Sequence, residues 1–251
     1  MASSAHFSQK TLRYEDWGCI PYAIAWERQR LYVQEALRDP HNWQDRLILC
    51  EHPPVITLGR NAHEENILLP LDLLQARGIE VYAVERGGDV TYHGPGQIVG
   101  YPILWLERYK ADIGWYMRSL EEVLIRTIGE WGLKGERLPG LTGVWLLSPP
   151  RKIAALGVKL TRWISMHGFA LNVNTDMSGF SFIVPCGIRD KAVTSMEKEL
   201  GFPLPIHSVK EKLVGHFSEV FKVKIEMKTP QDLEQSSLEK PRVHNEQSME
   251  S

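Results

Sequence analysis

The chain has 251 residues, of which 43% are apolar and 24% are charged, a balance typical of a soluble protein with one broad domain or two small ones. Its 29 Lys and Arg residues against 31 Asp and Glu residues leave a net charge of −2. No overall basic field therefore exists to hold nucleic acid or an anionic membrane surface.

The sequence predicts a cytoplasmic protein that does not enter a membrane. Its longest membrane-like stretch, residues 98–106, has nine residues, whereas a helix that spans a bilayer needs roughly 20. The first residues lack an apolar signal core, and acidic residues arrive by Glu15. Three scattered cysteines, Cys19, Cys50 and Cys186, do not suit a disulfide framework or a Cys-x-x-Cys metal pair, so we expect free thiols and no metal site.

Apolar periodicity predicts three long helices with strands between them. The first helix is expected over about 21–39, the second from Asp112 over about 20 residues, and the third from Ser208, which forms a capping-box pattern with Glu211. The apolar stripe of the second helix comprises Ile113, Met117, Leu120, Leu124, Ile128 and Trp131. Runs with strand character lie at 46–50, 55–58, 79–84, 97–104, 142–147, 152–159 and 168–173.

The order of these elements predicts an α+β fold with a mixed, largely antiparallel sheet flanked by helices. The short turn SPPR at 148–151 joins two strand runs, so residues 142–159 are expected to form an antiparallel hairpin. No linker divides the chain, and one domain is expected over 12–225. Residues 226–251 are expected to form a disordered tail, because only four large apolar side chains occur from 228 onward.

A glycine-rich segment, RGGDVTYHGPGQ at 86–97, is the first place where chemistry could occur. Five turn-forming residues in twelve allow the backbone to approach another group closely. Composition alone supports two interpretations equally, a loop that wraps a ligand with Arg86 and His93 as polar contacts, or a β-bulge with a tight turn. The segment lacks the features of a phosphate-binding loop or a dinucleotide-binding motif.

The second place is IVPCGI at 183–188, where the Cys186 thiol lies in a turn between proline and glycine. A thiol is nucleophilic as the thiolate, and at the ordinary pKa of about 8.5 it needs a neighbouring cation or base. His93, His167 or a lysine could supply one. Residues 137–175 contain five Lys or Arg and no acid, which predicts a locally positive edge. An inert cysteine and a chance gap in acidic residues remain the alternatives.

Five segments together resemble the lipoyl(octanoyl) transferases of lipoate synthesis. They are EHPPVITLGR (51–60), RGGDVTYHGPGQIVGYPI (86–103), RKIAALGVKL (151–160), HGFALNVNTD (167–176) and FIVPCGI (182–188). The resemblance covers about residues 12–225 in order. It implies the fold of the biotin and lipoate protein ligase catalytic domain and an acyltransferase that needs no cofactor.

The resemblance also implies a site. Cys186 corresponds to the family's nucleophile, which carries the acyl group as a thioester, and Lys152 to its partner base. The substrate-binding residues would be Arg86, Gly87, Gly88, Asp89, Val90, Thr91, Tyr92, His93, Ala155, Leu156, Gly157, Gly168, Phe169 and Ala170. His167 is also expected at the substrate site.

The partners that the resemblance implies are proteins. Acyl carrier protein would donate the octanoyl group, and the acceptors would be lysines on lipoyl domains of 2-oxo acid dehydrogenase E2 subunits and on glycine cleavage H protein. Because acyl carrier proteins are acidic, Arg151, Lys159 and Arg162 could dock the donor, or they could simply form a solvated strand edge. A monomer is expected, with no nucleic acid or membrane partner.

Three other functions stay open at this point. An ATP-dependent lipoate or biotin ligase would activate a free acid and need no thiol. A lipoyl-domain octanoyl amidotransferase would take the acyl group from one lipoyl domain to another. A non-catalytic acyl-binding scaffold would merely bury Cys186.

Overall fold

The computed structural model describes residues 10–184 and 192–227. The helices and strands within these ranges, in chain order, are β1 (Thr11–Cys19), α1 (Tyr22–Arg38), β2 (Arg46–Glu51), β3 (Val55–Leu58), α2 (Leu71–Ala76), β4 (Glu80–Ala83), β5 (Val90–His93), β6 (Gln97–Ile103), α3 (Ile113–Gly129), β7 (Glu136–Leu138), β8 (Leu141–Leu146), β9 (Arg151–Thr161), β10 (Ile164–Asn172), β11 (Ala192–Val193), α4 (Met196–Leu200), α5 (Ile206–Phe221) and β12 (Lys224–Met227). Short 3₁₀ turns occupy Glu64–Asn66, Leu106–Arg108 and Met177–Phe182.

Two sheets form the framework of this described part of the chain. The larger has the order β12-β1-β2-β6-β10-β9-β8-β7, with β11 paired to β9, and the smaller has the order β4-β3-β5. Strands from β2 to β7 along the larger sheet pair antiparallel, whereas β1 is parallel to both of its neighbours. The predicted α+β class with a mixed, largely antiparallel sheet is confirmed, as is the antiparallel hairpin of β8 and β9.

Apolar side chains cover both faces of the larger sheet. Leu124 of α3 and Phe217 of α5 belong to one buried cluster with Ile98 of β6. Val33 of α1 belongs to a second cluster with Val99, the next residue along β6. Because successive strand residues point to opposite faces, α3 and α5 lie on one side and α1 on the other. None of the helices in the described part of the chain is long and apolar enough to cross a bilayer.

The predicted helices are present, but one start was wrong. Asp112 caps α3 as expected, and its carboxylate accepts the N–H of Trp115 at 3.0 Å. By contrast, α5 begins at Ile206, directly after Pro205, and Ser208 lies inside the helix rather than at its cap. Proline has a fixed φ and no N–H to satisfy, so it suits a helix start, and the helix begins three residues earlier than the capping-box pattern indicates.

Strand β12 crosses the predicted domain boundary at residue 225. Glu226 and Met227, expected in the tail, pair in parallel with Arg13 and Tyr14 of β1. Pairing with β1 satisfies backbone groups that a disordered tail would leave to solvent. The remainder of the predicted tail, 228–251, lies outside the described residues.

Candidate active site

A trough of small residues runs along β9 and β10. Ala155 lies opposite Ala170, and Gly157 lies opposite Gly168, in directly paired positions of the two strands. Cβ atoms of such pairs are about 5 Å apart, so larger side chains would fill the space above them. Alanine and glycine leave this part of the sheet face uncovered.

The glycine-rich segment closes over the trough. The N–H of Gly87 donates to the carbonyl of Val158 at 3.0 Å, which holds the loop against β9. A Cβ at Gly157 would lie 2.7 Å from the Gly87 carbonyl oxygen, so glycine permits this close approach. A cavity of about 60 Å³ remains between the loop and the trough.

The cavity brings together twelve of the fourteen residues predicted to bind substrate, all but Gly87 and Tyr92. Gly87 lines an adjoining groove instead. Tyr92 packs its ring edge-on against Phe180 in a separate apolar cluster, with the ring centroids 5.4 Å apart. The strand alternation of β5 explains this placement, because Thr91 and His93 face the cavity and the residue between them faces away. The substrate-binding roles of all fourteen residues remain predictions.

Arg86 anchors the loop to the smaller sheet. Its Nη2 donates to the carbonyl of Thr57 at 2.7 Å, and its Nε donates to the Thr57 hydroxyl at 3.3 Å. Nη1 donates to the carbonyl of Gly87 at 3.1 Å. The side chain is only 9% exposed, so its charge is met by acceptors of the protein itself. Arg86 therefore shapes the cavity in addition to lining it.

Two buried histidines, His93 and His167, line the cavity, and the ring centroid of a third, His52, lies 6.0 Å from that of His93. Burial lowers the pKa of His93 to about 3, of His167 to about 3 and of His52 to about 4. All three rings are therefore uncharged at neutral pH. His93 stacks on Tyr22 with 6.0 Å between ring centroids, and His93 Nδ1 lies 2.7 Å from Gln97 Oε1. The histidines add no charge to a wall that also includes Val99 and Phe169, which suits an apolar ligand.

Lys152, the predicted base, is a buried residue of β9 at one end of the trough. Its Nζ lies 4.8 Å from the ring centroid of Trp145, and the residue is 7% exposed. The side chain crosses Gly143 of β8, where a Cβ would lie 3.2 Å from Lys152 Cε. The Gly143 N–H donates to the buried carboxylate of Glu121 at 3.2 Å. Helix α3 and strand β8 thus determine the path of the lysine side chain.

Lys152 borders both a small space beside the trough and a large groove. The small space, of about 10 Å³, is bordered by Lys152, Ala155 and Ala170, so the lysine adjoins the trough directly. The groove, of about 810 Å³, is also lined by Lys152, and it shares Ala155, Leu156 and Gly157 with the 60 Å³ cavity.

The start of α3 forms part of the groove wall, which corrects its predicted place in the apolar core. Ile113 and Met117 line the groove, and Ile113 is 53% exposed. Leu120, Leu124 and Ile128 of the same stripe are buried as expected. The N-terminal part of α3 therefore presents apolar side chains to the groove.

Cys186, the predicted nucleophile, lies outside the described residues. The described chain on its C-terminal side is attached to the strand of the lysine, because Val193 pairs with Lys152 and the Thr194 N–H donates to the Lys152 carbonyl at 2.9 Å. On its N-terminal side the Val184 N–H donates to the carbonyl of Asn66 at 2.8 Å. Asn66 and Lys152 line the same groove.

The positive edge predicted from residues 137–175 is largely neutralised by acids from other segments. Arg151 makes a two-pronged ion pair with Glu199, with N to O distances of 2.6 and 2.5 Å. Arg137 Nη2 lies 2.8 Å from a carboxylate oxygen of Glu122. Lys159 pairs with Glu85, and Arg162 donates to the backbone carbonyl of Leu37. These contacts are accounted for by a strand-edge role of Arg151, Lys159 and Arg162, without a docked donor protein.

Asn66, Glu121 and Gly143 were not singled out by the sequence. Each of them contacts the site through a residue that is distant in the sequence. None of them belongs to a sequence motif that indicates a particular chemistry. Among residues 10–184 and 192–227 no group of three or more potential metal ligands is placed to hold a metal ion.

The trough, the glycine-rich loop that covers it and the buried lysine beside it lie on a two-sheet α+β domain. Residues 21–218 match the family described as the lipoyl protein ligase A/B catalytic domain. An octanoyltransferase of Nostoc punctiforme is 49% identical over 215 residues, covering 86% of this chain and 90% of that protein. One from Solibacter usitatus is 52% identical over 204 residues, covering 81% and 90%.

Solved structures with the same fold are lipoate ligases. The bipartite lipoate protein ligase of Thermoplasma acidophilum superposes with a TM-score of 0.68 at 18% identity, covering 91% of each chain. A lipoate-protein ligase A bound with ATP superposes with a TM-score of 0.66 at 17% identity, covering 92% and 93%. The chain therefore belongs to the lipoyl protein ligase A/B catalytic-domain family and, within it, to the octanoyltransferases.

Proposed function

We propose that this acyltransferase moves an octanoyl group from acyl carrier protein to a lysine ε-amine on a lipoyl domain, by way of a thioester on Cys186. The observation that carries the proposal is the junction at Lys152, where a buried amine, an apolar trough and an open groove adjoin. Acceptors of this chemistry would be the lipoyl domains of 2-oxo acid dehydrogenase E2 subunits and glycine cleavage H protein.

The trough would bind the acyl chain. Each methylene removed from water contributes about 0.8 kcal/mol, so an eight-carbon chain gains several kcal/mol from burial. The lining supports this because its floor consists of alanine and glycine and its histidines are uncharged. Carrier and acceptor would both approach through the groove, whose side chains Ile113 and Met117 are accessible for contact with an incoming arm.

The first half-reaction would load the enzyme. Lys152 as an ammonium group favours the thiolate of Cys186, which attacks the thioester carbonyl of octanoyl-acyl carrier protein. A new bond forms between the Cys186 sulfur and the acyl carbon, and backbone N–H groups of the glycine-rich loop would stabilise the oxyanion. The bond to the phosphopantetheine sulfur then breaks, and this sulfur takes a proton from Lys152.

The second half-reaction would discharge the enzyme. The ε-amine of the acceptor lysine attacks the acyl carbon, and Lys152, now neutral, accepts a proton from that amine. An amide bond forms, the bond to the Cys186 sulfur breaks, and the starting ion pair is restored. A thioester is converted to an amide, which is downhill, so the reaction needs no nucleotide.

Independence from ATP is the expected outcome that separates this function from that of a ligase. Purified enzyme, octanoyl-acyl carrier protein and an apo lipoyl domain should give octanoylated acceptor in buffer depleted of nucleotides, detected by intact-mass spectrometry. Free octanoate with ATP should give no product. Product only with free octanoate and ATP would contradict the proposal, and octanoylated lipoyl domain as the sole usable donor would indicate an amidotransferase.

A cytoplasmic location also stays a prediction. The two described cysteines, Cys19 and Cys50, are free thiols, which is compatible with a reducing compartment.

Filling the trough should change the chain length that the enzyme prefers. We expect Ala170→Leu to lower kcat/KM for octanoyl-acyl carrier protein about tenfold or more, because three added carbons occupy the space above the β9 and β10 pair. Transfer of butyryl should fall less, so the butyryl to octanoyl ratio rises. Ala23→Leu on the exposed face of α1 is the matched control. An unchanged ratio in Ala170→Leu would show that the acyl chain does not occupy the trough.

A further inference from the structure

Asn66 joins the glycine-rich loop to the chain segment that leads toward Cys186. It is the last residue of the 3₁₀ turn Glu64–Asn66 and is only 6% exposed. Its side-chain Nδ2 donates to Asp89 Oδ2 at 2.6 Å, and its backbone carbonyl accepts the N–H of Val184 at 2.8 Å. One residue thus holds two parts of the site at once.

The segment that follows Asn66 continues this attachment. Ile67 forms an antiparallel bridge with Ile183, and the Leu68 N–H donates to the carbonyl of Phe182 at 2.8 Å. Residues 66–68 therefore run beside 182–184 with several backbone contacts. Val184 is two residues before Cys186 in the sequence.

Asp89, at the other end of this connection, is also held by hydrogen bonds to several segments. Asp89 Oδ1 accepts the N–H of Val90 at 2.7 Å and that of His63 at 3.3 Å, while Oδ2 accepts from Asn66. The carboxylate therefore fixes the start of β5 and the segment before the 3₁₀ turn together. Asp89 lines both the 60 Å³ cavity and the groove, so this network borders the place where the acyl group would lie.

We propose that Asn66 is a positioning residue for acyl transfer, which sets the distance between the glycine-rich loop and the segment at residues 182–184 that precedes Cys186 in the sequence. The inference rests on the proposed function. Its physical basis is that a misplacement of about 1 Å can slow a reaction on the order of 100-fold, and Asn66 connects the two elements directly.

An exchange of the two side chains tests this role. Asn66→Asp places a carboxylate against the Asp89 carboxylate at a buried position, so the two elements should be pushed apart. Adding Asp89→Asn restores one donor and one acceptor in reversed order, and the asparagine oxygen can still accept the Val90 N–H. We expect Asn66→Asp to slow loading of Cys186 about 10- to 100-fold, and the double variant to recover most of that rate.

The measurement is single-turnover loading by octanoyl-acyl carrier protein, followed by intact-mass spectrometry at a temperature where all variants are folded. The rate of Cys186 alkylation by iodoacetamide, followed by peptide mass spectrometry, is a second readout that a purely structural role would not change. Gln34→Glu, on the exposed face of α1, makes the same amide to carboxylate exchange and should load at the wild-type rate.

The outcomes separate the two proposals. Slow loading in Asn66→Asp with recovery in the double variant supports the positioning role. Wild-type loading and alkylation rates in Asn66→Asp, even with a lowered melting temperature, would overturn it and leave the proposed function intact. A wild-type enzyme that never carries octanoyl on Cys186 would overturn the proposed function itself.

Discussion

Cys186→Ser is expected to abolish octanoyl transfer, with a loss on the order of 10³-fold or more in kcat/KM and no covalent octanoyl adduct. A serine hydroxyl is far less acidic than a thiol, so a neighbouring ammonium group cannot ionise it at neutral pH. The acyl group would then have no atom to reside on between carrier and acceptor.

The measurement is intact-mass spectrometry of the enzyme after brief exposure to octanoyl-acyl carrier protein, together with a steady-state transfer assay. Cys19→Ser is the matched control, because Cys19 is an exposed free thiol at the end of β1. That variant should form the adduct and transfer normally. Undiminished transfer by Cys186→Ser would show that the reaction does not pass through this sulfur and would favour direct attack or a scaffold role.

The second large effect is expected at Lys152, where the two half-reactions should respond differently. Lys152→Arg keeps a positive charge but removes a usable base, because a guanidinium stays protonated. Loading of Cys186 should persist, because the charge is kept and the departing thiolate can take its proton from water, while discharge to the acceptor amine slows about 10² to 10⁴-fold. Octanoyl-enzyme should accumulate in this variant. Lys152→Met removes the charge as well, and both half-reactions should be slow.

The packing around Lys152 determines whether the folded protein can accommodate an arginine at this position. The side chain occupies the space where a Cβ at position 143 would lie 3.2 Å from Lys152 Cε, and it ends near the Trp145 ring, so the larger guanidinium has to fit there. Thermal unfolding of each variant shows whether the fold tolerates it. Lys224→Arg, on the exposed surface of β12, is the matched exchange and should leave both rates unchanged. Discharge at the wild-type rate by Lys152→Arg would exclude Lys152 as the base.

Helices and central strands could be predicted because their burial follows simple periods. Leu213, Phe217 and Phe221 recur at helical spacing in α5 and are all buried, and the apolar run of β2 is buried along its length. Strand β1 was not predicted, because its sequence has no regular apolar pattern. Its TLRYEDWGC sequence is highly polar, yet Glu15 is 2% exposed because Arg46 and Tyr32 bind its carboxylate. Partners from α1 and β2 thus conceal a charge that the sequence pattern places in solvent.

The amino-acid sequence alone supplied the chemical groups: a thiol in a Pro-Cys-Gly sequence, a lysine at the start of a strand and a glycine-rich segment. Only the tertiary structure decided which groups meet. The pairing of β9 with β10 places Ala155 against Ala170 and opens the trough, and contacts over long sequence distances recruit Glu121 and Asn66. Such contacts depend on strand register and on the space left by neighbouring side chains, which no local pattern of residues encodes.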